Sequence, residues 1–312
     1  MSLGILFPGQ GSQSVGMLKD LKTSYSIVSE IFEEASDVLS YDLWKITKNG
    51  PESKINDTEF TQPIMLCSAF SVWKIWNDEG GEAPIFMAGH SFGEYTALCA
   101  SGVIKFKDAI NLVKKRAVCM KNAPKGKMAA VIGIDYHTLK KIYEENTLES
   151  VSIANINAPG QIVISGSDLG VEELSKLAIS KGAKKVIPLP VSVAAHSSIM
   201  STCSDKLYKL LKNINILEDN SLFPVLHNTD ASKKNSKVDI IKSLCDQVCS
   251  PVLWETTIKK MFNNNISSFI EIGPGKVLTG LNSKILSKDD NIKCLSIDKI
   301  ESINEAVGVN ND

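Results

Sequence analysis

The sequence predicts an α/β fold, in which a parallel sheet flanked by helices carries a smaller α+β subdomain inserted in the middle of the chain. Two patterns indicate this fold. Toward both ends of the chain, short apolar runs typical of strands alternate with longer helix-like stretches. Between them the order changes to β-α-β-β-α-β, which is the order of a split βαβ unit.

The alternating elements lie in two separate parts of the chain. Strand-like runs cover residues 4–7, 84–88 and 267–272, and helix-like stretches cover residues 27–39, 63–76, 95–100 and 108–120. The run at 267–272 leads into GPGKVLTGL, which repeats the strand-turn-helix pattern. We therefore expect residues 1–126 and 194–312 to form one domain around a shared parallel sheet.

The inserted unit has its own sequence of elements. Predicted elements are a strand at 127–134, a helix at 136–145, two strands within 151–166, a helix at 169–181 and a strand at 184–191. This order predicts a ferredoxin-like subdomain over residues 127–193. Polar loops are expected at 217–220 and 230–237, and a frayed end after residue 302.

The composition excludes several classes of protein. The chain has 312 residues, 43% of them hydrophobic, with a formal net charge of −1. No global positive charge favours nucleic acid or an anionic membrane. The N-terminus lacks the basic and apolar regions of a signal peptide, and the longest mainly apolar run, residues 63–73, is far below the roughly 20 residues of a membrane span. We expect a monomeric, cytoplasmic protein.

The cysteines and the first glycine-rich loop give no indication of a metal or a dinucleotide. The seven cysteines include no CxxC pair, so we expect reduced, mostly buried thiols and no metal site. In the GQGSQ loop, Ser14 stands where a dinucleotide fingerprint needs its third glycine. NAD binding is therefore not expected.

A candidate nucleophile lies at Ser91. Gly89 and Gly93 flank it in a G-x-S-x-G motif, preceded by an apolar run and followed by a helix-like stretch. This is the context of a nucleophile elbow, as in α/β-hydrolase-like sheets, where a strained turn exposes the serine oxygen. The helix N-terminus that follows can stabilise an oxyanion, with the Phe92 amide as the natural donor. The alternative is a glycine-rich turn whose serine only caps the helix.

A serine nucleophile requires a base, and the sequence has four histidines. His90 adjoins the nucleophile but should point away from it, and His137 lies in the inserted unit. His196 follows the return from the inserted unit, where domain junctions often line clefts. His227, at a predicted strand end, stays open as a second candidate. Each histidine could instead be a hydrogen-bonded structural residue, and no acid identifies itself as a third triad member.

Arg116 is the most informative charged residue. Helical spacing puts it on one face with Ala109, Leu112, Val113 and Met120. An arginine on an apolar face is costly unless it is paired. It could form an internal salt bridge or extend to the surface. Alternatively, its planar guanidinium could bind a substrate carboxylate with two hydrogen bonds.

Several segments together resemble the malonyl-CoA:acyl-carrier-protein transacylases and the related acyltransferase domains of fatty acid and polyketide synthases. Their joint order is more specific than any single motif, and they span nearly the whole chain. The segments are FPGQGSQ at 7–13, TQP at 61–63, GHSFGEY at 89–95, Arg116, NAPGQIVISG at 157–166, VSVAAH ending at His196, Gln247, and EIGPGKVL at 271–278.

The resemblance implies a role for each matching residue. Ser91 would be the nucleophile and His196 the base, with the imidazole held by the backbone carbonyl of Gln247 instead of by an acid. The amides of Gln10 and Phe92 would form the oxyanion hole, and Arg116 would bind the malonyl carboxylate. Gln62 and Asn157 match as possible pocket residues. Phe92 and the Ala194-Ala195 pair depart from the leucine and the proline-serine common in the family.

The implied reaction transfers malonyl from coenzyme A to the phosphopantetheine thiol of acyl carrier protein, for fatty acid biosynthesis, with the coenzyme A thioester as substrate and no cofactor. Three alternatives stay open: a loader of polyketide synthase carrier domains, an esterase or thioesterase, and a catalytically silent subunit that binds carrier proteins. Because the family's carrier protein is acidic, a basic docking surface is expected. Two groups of positive residues are candidates: Lys114, Lys115, Arg116, Lys121, Lys125 and Lys127, and Lys181, Lys184 and Lys185.

Overall fold

A five-stranded parallel sheet forms the centre of the main part of the molecule. The computed structural model describes residues 2–146, 148, 150–191, 193–218, 223–287, 289 and 291–309. The sheet has the strand order β7-β2-β1-β8-β9, and every neighbouring pair in it is parallel. Its strands are β1 (Leu3–Phe7), β2 (Phe86–Gly89), β7 (Val225–Leu226), β8 (Ser268–Ile272) and β9 (Lys293–Ile297).

The second sheet is antiparallel and belongs to the inserted segment. Its strands are β3 (Lys127–Ile132), β4 (Val151–Ala158), β5 (Gln161–Gly166) and β6 (Lys185–Pro188). Their spatial order is β4-β5-β3-β6, which is the ferredoxin-like arrangement that the sequence predicts. The fold class is therefore confirmed. The subdomain limits of 127–193, with 1–126 and 194–312 outside it, stay a prediction.

Helices connect the strands in both parts. They are α1 (Lys19–Ser24), α2 (Ser26–Leu39), α3 (Leu43–Asn49), α4 (Glu52–Ile55), α5 (Thr58–Asp78), α6 (Gly93–Ala100), α7 (Phe106–Lys121), α8 (Tyr136–Glu145), α9 (Asp168–Ser180), α10 (Ser201–Leu211), α11 (Lys237–Gln247), α12 (Trp254–Asn263), α13 (Val277–Ile285) and α14 (Ile300–Val309). A short 3₁₀ turn, Ser198–Met200, precedes α10. Within the described residues, no helix is long and apolar enough to cross a membrane.

The end of the chain differs from the sequence-based expectation. The prediction of a frayed segment after residue 302 is wrong for the described residues, because α14 continues to Val309. Ile303 and Ala306 are buried in the main core, and that apolar face stabilises the helix. The polar loop predicted at 217–220 lies partly outside the described residues, and the loop predicted at 230–237 ends where α11 begins.

The parallel sheet places two functional loops side by side. Central β1 pairs with β2, and Phe7 lies opposite Gly89 at the carboxyl ends of these strands. The GQGSQ loop leaves β1 and the G-x-S-x-G turn leaves β2 at that same edge, where α/β sheets form their ligand crevices. Helix α5, buried on nearly all sides, packs beside α6 and α7 and supports this edge.

Candidate active site

Ser91 lies in a tight turn between β2 and α6. Its φ is 54°, a left-handed conformation that costs a non-glycine residue free energy and marks a constrained site. The flanking glycines make the turn possible. A Cβ at Gly89 would lie 1.9 Å from the carbonyl carbon of Gly93, and a Cβ at Gly93 would lie 2.4 Å from the oxygen of Phe7. The G-x-S-x-G spacing is thus required by packing.

The imidazole of His196 contacts the Ser91 hydroxyl. The distance from Ser91 Oγ to His196 Nε2 is 2.7 Å, and His196 Nδ1 lies 2.7 Å from the backbone oxygen of Gln247. Because a carbonyl oxygen can only accept, Nδ1 carries the proton and Nε2 is free to accept one from Ser91. His196 also has a left-handed backbone, with φ at 60°. The arrangement suits a general base held in one tautomer.

Burial keeps this imidazole neutral. His196 is 2% exposed, and loss of solvation together with the nearby charge of Arg116 lowers the pKa of His196 to about 3. The hydrogen bond to the Gln247 carbonyl acts in the opposite direction but is the weaker effect. At neutral pH the side chain is therefore a proton acceptor.

The other histidines have different partners. His90 Nε2 lies 2.8 Å from the Asn157 side-chain oxygen, and the ring packs edge-on against Trp254. His227 Nδ1 lies 2.7 Å from Glu94 Oε1. His137 is exposed in the second sheet's subdomain. Among the described residues, His196 is the histidine that contacts Ser91.

Arg116 is buried with amide partners. It is 1% exposed, its Nη1 donates to Gln62 Oε1 at 3.0 Å, and its Nη2 donates to Gln247 Oε1 at 3.0 Å. The guanidinium lies over the ring of Tyr95, with 5.3 Å between the guanidinium carbon and the ring centroid. Its Nε has no hydrogen-bond partner in the described part of the chain. A buried cation with a spare donor can accept an anionic ligand.

A cleft of about 200 Å³ opens above Ser91 and His196, between the two parts of the molecule. Gln10, in the loop after β1, and Leu278, in α13, line it from the main part, and Asn157, in β4, lines it from the second sheet. Gln62 lies below it, fully buried against Arg116. Within the described residues, no group of histidine, cysteine and acidic side chains could hold a metal ion.

Of the two candidate oxyanion donors, Gln10 lines the cleft together with Ser91, and Phe92 follows Ser91 in the turn. The GQGSQ loop packs directly on the elbow, because a Cβ at Gly9 would lie 2.9 Å from the carbonyl oxygen of His90. Neither the Gln10 nor the Phe92 backbone amide is bonded to another residue in the described chain. Two free amides beside a serine nucleophile are what an oxyanion hole requires.

Sequence reasoning missed two residues that hold the elbow. Asn228 Oδ1 accepts a hydrogen bond from the Ser91 amide at 2.8 Å, and its Nδ2 donates to the Gly89 oxygen at 2.7 Å. Glu94 is fully buried below it. Two signals could have identified them. Asn228 is a polar residue just after β7, the strand next to β2, and Glu94 is an acid in the otherwise nonionic helix α6.

Comparisons with known proteins agree with this geometry. The family model described as an acyl transferase domain matches residues 5–300. The chain is 43% identical over 285 residues to the malonyl CoA-acyl carrier protein transacylase of Escherichia coli K12, covering 90% of this chain and 92% of that protein. It is 39% identical over 310 residues to the Bacillus subtilis protein of the same name, covering 98% and 96%.

Solved structures show the same similarity. An acyl carrier protein S-malonyltransferase from Vibrio cholerae has a TM-score of 0.93 at 39% identity, covering 98% of this chain and 99% of that one. A malonyl-transacylase in complex with a type II polyketide synthase acyl-carrier protein has a TM-score of 0.95 at 38% identity, covering 99% and 100%.

The low pKa of His196 predicts a flat pH profile for the reactivity of Ser91. Its rate of reaction with a fluorophosphonate, followed by intact-protein mass spectrometry, should stay constant from about pH 8 to about pH 5, because His196 stays neutral over that range. His196→Ala should slow labelling by about 10²- to 10⁴-fold, and Ser91→Ala should abolish it. A fall in rate centred near the ordinary histidine pKa of about 6.5 would contradict the assignment.

Proposed function

This chain belongs to the acyl transferase domain family, and from that premise we propose that it transfers malonyl from coenzyme A to the phosphopantetheine thiol of acyl carrier protein, for fatty acid biosynthesis. The curated relatives are malonyl CoA-acyl carrier protein transacylases. The observation that carries the proposal is the contact of Ser91 with His196, next to a buried arginine with a spare donor.

The first half-reaction forms a malonyl ester on Ser91. His196 Nε2 takes the hydroxyl proton while Ser91 Oγ attacks the thioester carbonyl carbon. The amides of Gln10 and Phe92 stabilise the negative oxygen of the tetrahedral intermediate. The intermediate collapses, and coenzyme A leaves as its thiol with the proton from His196.

The second half-reaction reverses these steps with a different thiol. His196 removes the proton from the carrier protein's phosphopantetheine thiol, and the sulfur attacks the ester carbonyl. When the ester bond breaks, Ser91 recovers its proton from His196. Water must be kept from the ester between the steps, since hydrolysis would release free malonate and give the thioesterase reaction.

Arg116 is proposed to bind the malonyl carboxylate. Its guanidinium can offer two parallel donors to a carboxylate, a geometry that a lysine ammonium cannot supply. Gln62 would keep the guanidinium in place from below, and Asn157 would line the acyl pocket from the second sheet. A neutral acyl group would leave this buried charge without an anion.

A second candidate is a loader of polyketide synthase carrier domains. The malonyl-transacylase bound to a type II polyketide synthase carrier protein is as similar to this chain as the Vibrio cholerae S-malonyltransferase is. Both candidates use the same chemistry and differ in the carrier protein. We further propose a monomer that acts in the cytoplasm without a metal or tightly bound cofactor, and without nucleic-acid or membrane partners, because side chains and backbone groups of this chain suffice for each step and the net charge is −1.

The carrier protein is proposed to dock on the lysines next to β6. Lys181, Lys184 and Lys185 are exposed, and β6 leads from them to Leu189 and Val191, which line the cleft. In the other group of positive residues, Lys115 and Lys125 are exposed, but the remaining four are less available. Lys114 and Lys121 form ion pairs with Glu59, Lys127 pairs with Asp168, and Arg116 is buried.

The covalent intermediate is the direct test of the function. Mixing the protein with malonyl-CoA should add one malonyl group to Ser91, detected by intact-protein mass spectrometry. Ser91→Ala should remain folded and form no adduct, because Ser91 is the nucleophile that contacts His196 among the described residues. Transfer of the label to an acyl carrier protein of the fatty acid or the polyketide type should then identify the pathway. A full-yield adduct on Ser91→Ala would disprove the assigned nucleophile.

Arg116→Ala should change the ratio of acyl donors. Loss of one partner of a desolvated charge pair costs about 2–5 kcal/mol, or roughly 30-fold to several thousand-fold, so acylation by malonyl-CoA should fall by that factor. Acylation by acetyl-CoA should hold steady or rise. Acylation of Arg116→Lys by malonyl-CoA should at best be intermediate between that of the wild type and that of Arg116→Ala. The measurement compares both donors on folded wild type and variants, and equal losses for both would mean a structural arginine.

Charge reversal of the β6 lysines should weaken only the second half-reaction. Lys181→Glu, Lys184→Glu and Lys185→Glu together should slow transfer to the carrier protein at low salt while leaving acylation by malonyl-CoA unchanged, since Coulomb steering acts on encounter with an acidic macromolecule. The charge-matched control reverses three exposed lysines outside the subdomain, Lys48, Lys105 and Lys107. Equal rates for the two triple variants would exclude the β6 surface.

A further inference from the structure

A buried carboxylate lies directly below the candidate active site. Glu94 has no exposed surface, and three groups donate hydrogen bonds to it. They are His227 Nδ1 at 2.7 Å, the Asn228 backbone amide at 2.9 Å and Gln247 Nε2 at 2.8 Å. Three donors thus surround the two oxygens of a side chain that can only accept hydrogen bonds as a carboxylate. None of the proposed catalytic steps uses this side chain.

The side chain of Gln247 connects Glu94 to Arg116. Its Oε1 accepts from Arg116 Nη2 at 3.0 Å, while its Nε2 donates to Glu94 Oε2 at 2.8 Å. The two neighbours fix the orientation of this amide, because a flipped amide would place its NH₂ group against a cation and its oxygen against an anion. The amide dipole therefore lies aligned between a buried positive and a buried negative charge.

Arg116 has no closer counter-charge among its described hydrogen-bond partners, which are the neutral amides of Gln62 and Gln247. A fully buried cation is costly without an anion. We propose that Glu94 is a positioning residue that supplies the resting counter-charge of Arg116 through the Gln247 amide. Glu94 thereby sets how strongly the site prefers an acyl group that carries a carboxylate. This inference rests on the proposed function.

The separation of the charges gives the size of the effect. Arg116 Nη2 and Glu94 Oε2 are connected through two hydrogen bonds and the side-chain amide of Gln247, so these two atoms lie at most about 8 Å apart. At that distance and an effective dielectric constant of about 20, the Coulomb attraction between Arg116 and Glu94 corresponds to a change of roughly 30-fold in an equilibrium constant. An acyl carboxylate that pairs with Arg116 is repelled by Glu94 across the guanidinium, over a longer distance, so the effect of Glu94 on its binding is smaller, roughly 3- to 10-fold.

The experiment measures binding without chemistry. In a Ser91→Ala background, dissociation constants for malonyl-CoA and acetyl-CoA are compared between Glu94 and Glu94→Gln proteins by calorimetry. Glu94→Gln keeps the volume and removes the charge that repels the acyl carboxylate, so malonyl-CoA should bind about 3- to 10-fold more tightly. Acetyl-CoA should bind equally well to both. An unchanged ratio, or weaker binding of malonyl-CoA relative to acetyl-CoA, would overturn the proposal.

Two control variants separate charge from hydrogen bonding. Glu94→Asp keeps the negative charge while it alters the hydrogen bonds, and it should retain the wild-type ratio of the two dissociation constants. His227→Gln alters a donor to the same carboxylate and leaves its charge, and it should also retain that ratio. A shift in either control as large as that of Glu94→Gln would mean that the ratio follows packing and not charge, which would refute the inference.

A double-mutant cycle provides a second readout that requires no ligand. Chemical denaturation of Glu94→Gln, Arg116→Gln and the double variant measures the coupling of the two charges. Each single variant leaves one buried charge without its counterpart, so the double variant should be more stable than the sum of the single losses implies. Additive losses, or a double variant that also fails to fold, would count against the charge pair.

The outcome is separable from that of the proposed function. If the wild-type protein forms no malonyl adduct on Ser91, the proposed function fails whatever Glu94 does. Suppose that the adduct forms and Arg116→Ala shifts the ratio of acylation by the two donors. If Glu94→Gln then leaves the ratio of the two dissociation constants unchanged, only the proposed role of Glu94 is disproved.

Discussion

The hydrogen bonds of Gln247 are the constraint on which the site depends. The backbone oxygen of Gln247 accepts from His196 and fixes the tautomer of the candidate base. Its side chain binds Arg116 on one side and both the Ser91 carbonyl oxygen and Glu94 on the other. One residue at the end of α11 thus holds the nucleophile turn, the base and the candidate carboxylate binder in a single geometry.

This constraint explains why strained backbone is tolerated at two positions. Ser91 and His196 both have left-handed φ values, of 54° and 60°, and such conformations persist only where their surroundings enforce them. Asn228 binds both the Ser91 amide and the Gly89 oxygen, so the turn is held from beneath by a side chain of the neighbouring strand's loop. The parallel pairing of β2 with β7 brings that loop to the elbow.

The sequence was sufficient for the elements that depend on local patterns. Alternating apolar runs predict both sheets, and G-x-S-x-G between a strand and a helix predicts the turn at Ser91, because its glycines are required by local packing. The contact between Ser91 and His196 spans 105 residues and follows from tertiary folding, so from the residues alone His227 stayed an alternative. Glu94 and Asn228 escaped notice because a single acid or amide carries no indication of its burial.

Burial also couples the candidate base to the candidate carboxylate binder. The charge of Arg116 is one of the causes that lower the pKa of His196, after the loss of solvation. An anion that binds the guanidinium offsets part of that charge and must therefore raise the proton affinity of the imidazole. A neutral ligand offers no such compensation. A carboxylate bound to Arg116 would thus make His196 a stronger base, so that recognition and proton transfer in this site would be coupled through the charge of Arg116.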